Sequence, residues 1–459
     1  MKTKVRCFKL SNRSTITIKR KSITTKLLPL LAIALFIVAP LSKVKALPSY
    51  ARQTQMSCTA CHTSFPELNN FGRQFKLNGY TMTTMPTIDA QGNDSTKPST
   101  SKLKLLSTLP LSVMLQSSFT HISKDVAGTQ NNSVAFPQQL SMFFAGQITP
   151  HIGSFIQMTY ADGAFGMDNA DVRYANTVNI GSKSLLYGLS LNNNPTVQDV
   201  WNTSPAWRYP SASSASAPTP AKSTILENLG TQVAGLGAYT LFNNLVFAEI
   251  SGYRSAQQGA GANPATSIDT LVIKRIAPYW RFALQHQWSS DYLELGTFGI
   301  ASNHFQNGIT GNMSKFVDMG VDLQYEHIMS FGYFSLHAAM INEKESRDVT
   351  DTAQNTSKLS LSFNSFKIDA NLYLKNGLGA TVGYFNNTGS EDVKVQSLTN
   401  KPNSSGFISQ LELLSMYNTK FAVQYVSYQK FDGSKTNYDG AGRNAAHNNA
   451  IYLLAWFCF

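Results

Sequence analysis

The chain has 459 residues, of which 14% are charged, against roughly a quarter in ordinary soluble domains. Its formal net charge of +12 arises in residues 1–46, which hold 11 Lys/Arg and no acidic residue, whereas the remainder has 27 Lys/Arg against 26 Asp/Glu. The nearly neutral remainder excludes an extended basic surface, so we expect no nucleic-acid partner.

The first 46 residues have the organisation of a secretory signal peptide. Residues 1–26 carry nine Lys/Arg, and residues 27–41 form an uninterrupted apolar run that includes two prolines. That run is shorter than the roughly 20 residues of a spanning helix, which favours the h-region of a signal peptide. Residues 44–46 offer small side chains at the usual cleavage spacing. We therefore expect an exported protein that begins near Leu47.

Residues 58–62 read Cys-Thr-Ala-Cys-His, the C-x-x-C-H attachment motif of a c-type haem. Two thiols three positions apart can add to the two vinyl groups of one porphyrin, which predicts that Cys58 and Cys61 are the covalent attachment points. His62 then lies under the iron as its proximal ligand. The motif therefore predicts one covalent haem c as the cofactor, and haem of this kind is attached after export in bacteria.

Other uses of a cysteine pair are weaker alternatives. A structural zinc site takes four N/S ligands, but no second Cys pair is present, and Cys7 and Cys458 lie near the chain ends. A thioredoxin-like redox pair belongs in a βαβ context, which the sequence lacks. A disulfide is compatible with an oxidising compartment. Haem attachment is preferred because it also uses the histidine.

Residues 47–104 are predicted to form a small, mainly helical haem segment followed by a polar linker. Such a length is marginal for an independent domain, so we expect the segment to sit as a plug inside a larger structure. A helix is predicted from Pro66, which suits a first helical position, to Gly79, which suits a helix end. Its apolar face carries Leu68, Phe71 and Phe75.

The polar residues of this helix and the sixth ligand of the iron leave alternatives open. Arg73 or Lys76 either pairs with a haem propionate or faces solvent. Met82 or Met85 is the predicted distal ligand, with an open or water-ligated position as the rival, while Met56 is too close to the first cysteine to reach easily. A lumen-facing histidine of the barrel is a further candidate, although most of the barrel histidines are interpreted as ordinary strand residues: His121, His151, His286, His304, His327, His337 and His447.

Residues 105–459 predict an all-β fold, a transmembrane antiparallel β-barrel of about 16 strands. Apolar and polar residues alternate over 317–326 and again over 359–364 and 366–375, a period of two that is typical of strands with one wet face. The alternative is a soluble β-sandwich or propeller. Turn-rich stretches separate the strand-like segments at 192–194, 211–220, 259–264, 343–355, 390–406 and 432–449.

The chain stops inside an aromatic-rich strand, residues 449–459, whose terminal Phe459 is similar to the signal read by the insertion machinery of outer-membrane proteins. The second face of this strand is also apolar, with Tyr452, Leu454 and Trp456. We expect that face to pack against the plug.

The aromatic segment from Trp201 to Trp207 either folds inward over the haem or belongs to an interfacial girdle, and both alternatives are open.

Four stretches, residues 50–53, 56–62, 65–68 and 71–75, resemble the N-terminal segment of the fused monohaem cytochrome–porin family, outer-membrane cytochromes of iron-oxidising bacteria. The resemblance implies a haem segment inside the lumen of a porin-like barrel in the bacterial outer membrane. It also implies electron transfer from extracellular Fe(II), or another reductant, to a periplasmic cytochrome or copper protein.

Two function classes follow, an electron-transfer protein that acts as a ferrous iron oxidase and a diffusion porin whose haem is a structural or sensory plug. No Ser/His/Asp set, phosphate loop or metal-hydrolase motif is apparent, so no catalytic side chain is assigned. Hard cations favour oxygen ligands, which makes loop carboxylates candidate docking points for Fe(II). The candidates are Glu343, Glu345, Asp348, Asp432 and Asp439.

Overall fold

The computed structural model of the chain describes residues 48–63, 66–82, 109–161, 163–201, 203, 214–255, 272–306, 310–350, 356–416 and 418–459. The predicted signal peptide, the linker, Met85 and Trp207 therefore lie outside the described residues. Within them, no helix is both long enough and apolar enough to cross a membrane.

The described residues contain four short α-helices and 17 strands. The helices are α1 (Ser49–Thr54), α2 (Asn70–Leu77), α3 (Pro195–Gln198) and α4 (Ile225–Asn228), and single 3-10 turns occur at Cys58–Ala60, Val393–Val395 and Ala445–Asn448. The strands are β1 (Leu111–Ile122), β2 (Ser133–Thr149), β3 (Ile152–Ala161), β4 (Ala164–Ile180), β5 (Lys183–Asn192), β6 (Val233–Phe242), β7 (Val246–Ser255), β8 (Val272–Ile273), β9 (Ala277–Gln287), β10 (Asp291–Phe305), β11 (Met313–Ile328), β12 (Gly332–Thr350), β13 (Thr356–Leu374), β14 (Leu378–Gly389), β15 (Ser404–Met416), β16 (Thr419–Lys430) and β17 (Ala450–Cys458).

The strands form one closed antiparallel barrel. Successive strands along the chain pair with each other, and β1 pairs with both β2 and β17, which closes the sheet. The two-residue β8 and the longer β9 both pair with β10, one after the other, so together they occupy a single position in the wall. The wall therefore has 16 positions, which confirms the predicted barrel of about 16 strands.

The two faces of the wall have the polarity of a lipid-embedded barrel. In β11, the inward Asp318 and Asp322 are 1% and 8% exposed, whereas the outward Met319 and Val321 are 57% and 55% exposed. A soluble sandwich or propeller has the opposite arrangement, with apolar side chains inside, so those alternatives are wrong. The outward apolar band is the surface that contacts lipid in an outer-membrane-type barrel.

One predicted turn-rich stretch is wrong. Residues 343–350 continue β12, and β12 and β13 each contain 19 residues. At roughly 3.4 Å per residue, such strands are about 60 Å long and extend well beyond a hydrocarbon core of about 30 Å even when tilted. Glu343, Glu345 and Asp348 thus lie in a strand rather than in a loop, whereas Asp432 and Asp439 do lie between β16 and β17.

The described part of the N-terminal segment, residues 48–63 and 66–82, contacts the inner face of the wall. The Tyr80 hydroxyl donates to Asp171 Oδ2 of β4 at 2.7 Å. Arg73 forms an ion pair of 2.5 Å with Glu326 of β11, well away from β4 around the wall. All four side chains are buried, so these contacts attach the segment to the wall at two separated places.

Helix α2 begins four residues later than predicted. The side-chain oxygen of Asn69 accepts a hydrogen bond from Gly72 N at 2.9 Å and so caps the helix, a role for which asparagine is well suited. Pro66 lies in the preceding turn, because this stretch folds back to pair Leu68 with His62. The predicted end is close to the observed one, and Gly79 follows it with φ of 70°, where glycine is favoured.

The side chain of Trp201 is buried on the inner side of the barrel wall. Trp201 is 2% exposed, and its Nε1 donates to the Tyr292 hydroxyl of β10 at 2.8 Å. Its ring packs edge-on against Phe247, with 5.0 Å between centroids. Trp201 therefore faces inward, but it is not among the residues that line the cysteine cavity, so the alternative in which this segment covers the haem stays a prediction.

Candidate functional site

The cysteine–histidine motif occupies a single 3-10 turn. Residues Cys58–Ala60 form the turn, and the backbone N–H groups of Cys61 and His62 both donate to Cys58 O, at 3.2 and 3.0 Å. A 3-10 helix has three residues per turn, so side chains at i and i+3 project from the same side. Accordingly, both thiols and the imidazole line one cavity.

The imidazole of His62 is held in one tautomer. Nδ1 lies 3.1 Å from Pro66 O and 3.2 Å from Glu67 O, and carbonyl oxygens only accept, so Nδ1 carries the proton and Nε2 carries the lone pair. Burial lowers the pKa of His62 to about 4, although the two carbonyls partly oppose this effect. A neutral imidazole whose Nδ1–H is fixed by backbone is the form that binds a metal through Nε2.

Burial favours the protonated form of both motif thiols. Burial raises the pKa of Cys58, and burial together with the neighbouring Cys58 raises that of Cys61 to about 11. Such thiols are poor thiolate nucleophiles and poor zinc ligands as they stand. Among the described residues, one group of three or more His, Cys, Asp and Glu side chains has its ligand atoms all within 4.8 Å of one another. That group includes neither Cys58 nor Cys61. The geometry does not favour the zinc alternative.

The cavity walls are mainly apolar and come from both the N-terminal segment and the barrel. In the segment, the rings of Tyr50 and Phe75 meet edge-on at 5.0 Å, and Tyr50 stacks on Tyr80 at 5.7 Å. The principal apolar and aromatic lining residues are Tyr50, Met56, Leu68, Phe71, Phe75, Tyr80, Met114, Phe143, Phe155, Val197 and Trp456. Two thiols, a neutral imidazole and apolar aromatic walls are the set that a covalently attached porphyrin requires, so these residues fit haem c.

Met114 and Cys458 are among the lining residues from the barrel that were not identified from the sequence. Met114 and Cys458 stand opposite each other in the β1–β17 pairing, and Trp456 is close by on the same strand. The closure of a barrel requires its last strand to pair with its first, and this rule could have predicted that residues of β1 and β17 meet. Cys458 was set aside because it lies near the chain end, yet closure brings it to the same cavity as Cys58 and Cys61. Trp456, which was expected to pack against the N-terminal segment, lines the same cavity as residues of that segment, whereas Tyr452 and Leu454 are not among the lining residues.

The predicted distal ligands have different positions. Met82 is half-buried and is not among the residues that line the cavity, whereas Met56 and Met114 are. Met85 lies outside the described residues. None of the seven barrel histidines is among the residues that line the cavity; five of them lie in strands, whereas His151 and His447 lie in turns between strands.

The two basic residues of α2 are buried, so the solvent-facing alternative is wrong for both. Arg73 is 1% exposed and, besides its ion pair with Glu326, donates to Leu68 O at 2.7 Å. Lys76 donates to the backbone carbonyl of Val197 in α3 and also lines the cavity. Burial lowers the pKa of Lys76 to about 8. Both side chains attach α2 to its surroundings.

No protein-family model and no curated protein matches the chain. Similar solved structures include OmpF of Salmonella typhi in complex with daunomycin, at 13% identity over 76% of this chain and 97% of that chain, with a TM-score of 0.45. An anion-selective porin from Comamonas acidovorans has 10% identity, coverage of 76% and 98%, and a TM-score of 0.44. The outer-membrane channel DcaP of Acinetobacter baumannii has 12% identity, coverage of 76% and 96%, and a TM-score of 0.44. The porin-like architecture of this chain rests on its own strand pairing and on the polarity of its two faces.

Proposed function

We propose that the chain is an outer-membrane c-type cytochrome with one haem, attached through Cys58 and Cys61 and bound at its iron by His62. The observation that carries this proposal is the fixed tautomer of His62, whose Nδ1–H is held by Pro66 O and Glu67 O. A disulfide or a thiol redox pair does not require an adjacent imidazole with an oriented Nε2. A haem attachment site requires it.

The residues of the site have separate tasks. Cys58 and Cys61 hold the porphyrin by thioether bonds, and His62 binds the iron. The apolar walls exclude water from the cofactor, and Trp456 and Met114 bring the barrel into that wall. A bound haem supplies reversible one-electron transfer at its iron. Axial ligation and burial are the means by which this chain sets the reduction potential.

The electron donor in this proposal is an extracellular reductant, with Fe(II) preferred, and the acceptor is a periplasmic cytochrome or copper protein. Support for the donor comes from the resemblance of residues 50–75 to the fused cytochrome–porin family. For the distal position, Met82 or Met85 stays the prediction from the sequence. A thioether ligand raises the potential of a haem iron, which suits a donor such as Fe(II).

Anaerobic mixing of the detergent-solubilised, haem-loaded protein with Fe(II) tests the proposal. We expect reduction of the haem, followed by absorbance, at a rate that increases with Fe(II) concentration. Haem that stays ferric under excess Fe(II), but is reduced by dithionite, would contradict the proposed donor. Protein that contains no covalent haem would contradict the proposal as a whole.

A second candidate is a diffusion porin in which the N-terminal segment is a structural or sensory plug. The inward polar face of the barrel supports it, because polar side chains such as Asp318, Asp322 and Glu326 face the interior of the wall, as they do in porin barrels. Liposomes that contain the protein separate the candidates. Rapid leakage of small solutes together with a haem inert to Fe(II) supports the porin.

A further inference from the structure

Three ionisable side chains from separate parts of the chain meet away from the cysteine cavity. Glu67 comes from the N-terminal segment, His337 from β12 and Asp369 from β13, and the two strand residues are directly opposite in register. His337 Nδ1 lies 3.0 Å from Asp369 Oδ2 and 3.6 Å from Glu67 Oε1. Each residue can present one ligand atom, and these atoms all lie within 4.8 Å of one another. We refer to Glu67, His337 and Asp369 as the carboxylate–imidazole cluster.

The basic side chains beside the cluster have carboxylate partners of their own. Arg73 pairs with Glu326 at 2.5 Å, and Lys420 pairs with Glu412 at 3.5 Å. Once these two pairs are formed, the cluster retains two carboxylates and one imidazole. The imidazole Nδ1 faces one oxygen of each carboxylate, so a cation there would meet one nitrogen and two oxygen ligands.

Two atoms of the cluster make no hydrogen bond to any described residue. They are Glu67 Oε2 and His337 Nε2, both buried. Glu67 as a whole is 6% exposed. A buried carboxylate oxygen without a donor is destabilised, and a cation bound at this oxygen would satisfy it.

We propose that Glu67, His337 and Asp369 bind one divalent first-row transition-metal ion. Carboxylate oxygens with an imidazole nitrogen suit Mn(II), Fe(II), Co(II) or Zn(II), whereas Mg²⁺ and Ca²⁺ prefer all-oxygen sites. A supporting interaction is also present, because Asn371 Nδ2 donates to Asp369 Oδ2 at 2.7 Å and orients that carboxylate. The site needs no haem and therefore goes beyond the proposed function.

The bound ion would attach the N-terminal segment to the barrel wall. Glu67 supplies its side chain to the cluster and its backbone carbonyl to His62 Nδ1, at 3.2 Å. Metal binding at the cluster therefore fixes the same turn that orients His62. It follows that the ion should slow local opening of residues 66–69.

Equilibrium dialysis of the full-length protein against Co(II) tests the site. The protein is first treated with a chelator and its free thiols are alkylated, and bound cobalt is then measured by elemental analysis. We expect about one tightly bound ion per chain, and an affinity at least about tenfold lower in His337→Gln and in Asp369→Asn. His304→Gln is the matched control, because His304 is a buried barrel imidazole, 1% exposed, outside the cluster. It should bind cobalt like the wild type.

Equal cobalt binding by His337→Gln and His304→Gln, or none by the wild type, would overturn the proposal. Heat-modified gel mobility checks that each variant has a folded barrel. A second measurement needs the wild type alone: Co(II) should slow amide hydrogen exchange in residues 66–69. Unchanged exchange at saturating Co(II) would also overturn the proposal.

Discussion

Replacement of Arg73 by methionine should loosen helix α2 from the barrel wall. The Arg73 side chain is 1% exposed, pairs with Glu326 at 2.5 Å and lies 4.3 Å above the Tyr292 ring. Methionine keeps much of the aliphatic volume but leaves the Glu326 carboxylate buried without its partner. Loss of one partner of a buried ion pair typically costs about 3–5 kcal/mol, and a desolvated cation–π contact adds about 2 kcal/mol.

Amide hydrogen exchange of peptides that cover α2 measures this cost as a local opening free energy. At about 1.4 kcal/mol per tenfold change, we expect exchange at least about a hundredfold faster in Arg73→Met than in the wild type. The double variant Arg73→Met/Glu326→Leu removes both charges and should recover much of the protection.

A matched control is Arg347→Met. Arg347 is also a buried barrel-side arginine, paired with Glu345 and Asp392 at 2.8 Å each, and no described contact links it to α2. It should leave the exchange of α2 unchanged. If Arg73→Met also leaves that exchange unchanged while the barrel stays folded, the attachment of α2 through Glu326 is refuted.

Three further perturbations have defined outcomes. Gly72→Ala should lower the haem-to-protein ratio, because its Cβ would clash with the backbone carbonyl oxygen of Cys61. Gly166→Ala, whose Cβ would meet nothing within 4 Å, should leave the ratio unchanged, and equal ratios in the two variants would count against the packing of Gly72 on Cys61. Folding lowers the pKa of Lys76 from 10.5 to about 8, so between these two pH values the folded chain binds fewer protons than the unfolded chain. The free energy of opening α2 should therefore increase as the pH rises from about 8 to 10.5. Protection of the α2 amides from hydrogen exchange, corrected for the intrinsic exchange rate, measures this increase. Lys76→Met should remove that rise, and a slope that persists would assign it elsewhere. Trp456→Lys should reduce haem retention and protease resistance, because it places a charge in the apolar cavity wall, while Trp456→Phe should preserve both.

The barrel was predictable from the sequence because its signals are local and repeated. Low charge, many aromatic residues and a period-two alternation each follow from a wall with lipid outside and polar groups inside. Strand ends were less predictable. The stretch after Glu343 is polar, which is typical of a turn, yet it continues β12 and pairs with β13. Polar strand residues are tolerated there because strands of this length extend beyond the hydrocarbon core.

The candidate site was predictable only where one short motif defines it. Residues 58–62 specify Cys58, Cys61 and His62 without reference to the rest of the fold. The residues that depend on long-range contact were missed: Cys458 reaches the cavity through barrel closure, and the carboxylate–imidazole cluster joins three separate segments. Arg73 and Lys76 were read as surface or propionate-binding residues because helical spacing alone does not reveal a surrounding wall.

The most direct test of the covalent haem is the intact mass of the mature, denatured chain together with its pyridine haemochrome spectrum. We expect the mass of the chain from about Leu47 plus one haem, which acid acetone does not extract, and the spectrum of a haem with two thioether bonds. Replacement of Cys58 and Cys61 by serine should abolish both results. A mature chain with the mass of the polypeptide alone, or with haem that acid acetone extracts, would contradict the assignment of Cys58, Cys61 and His62.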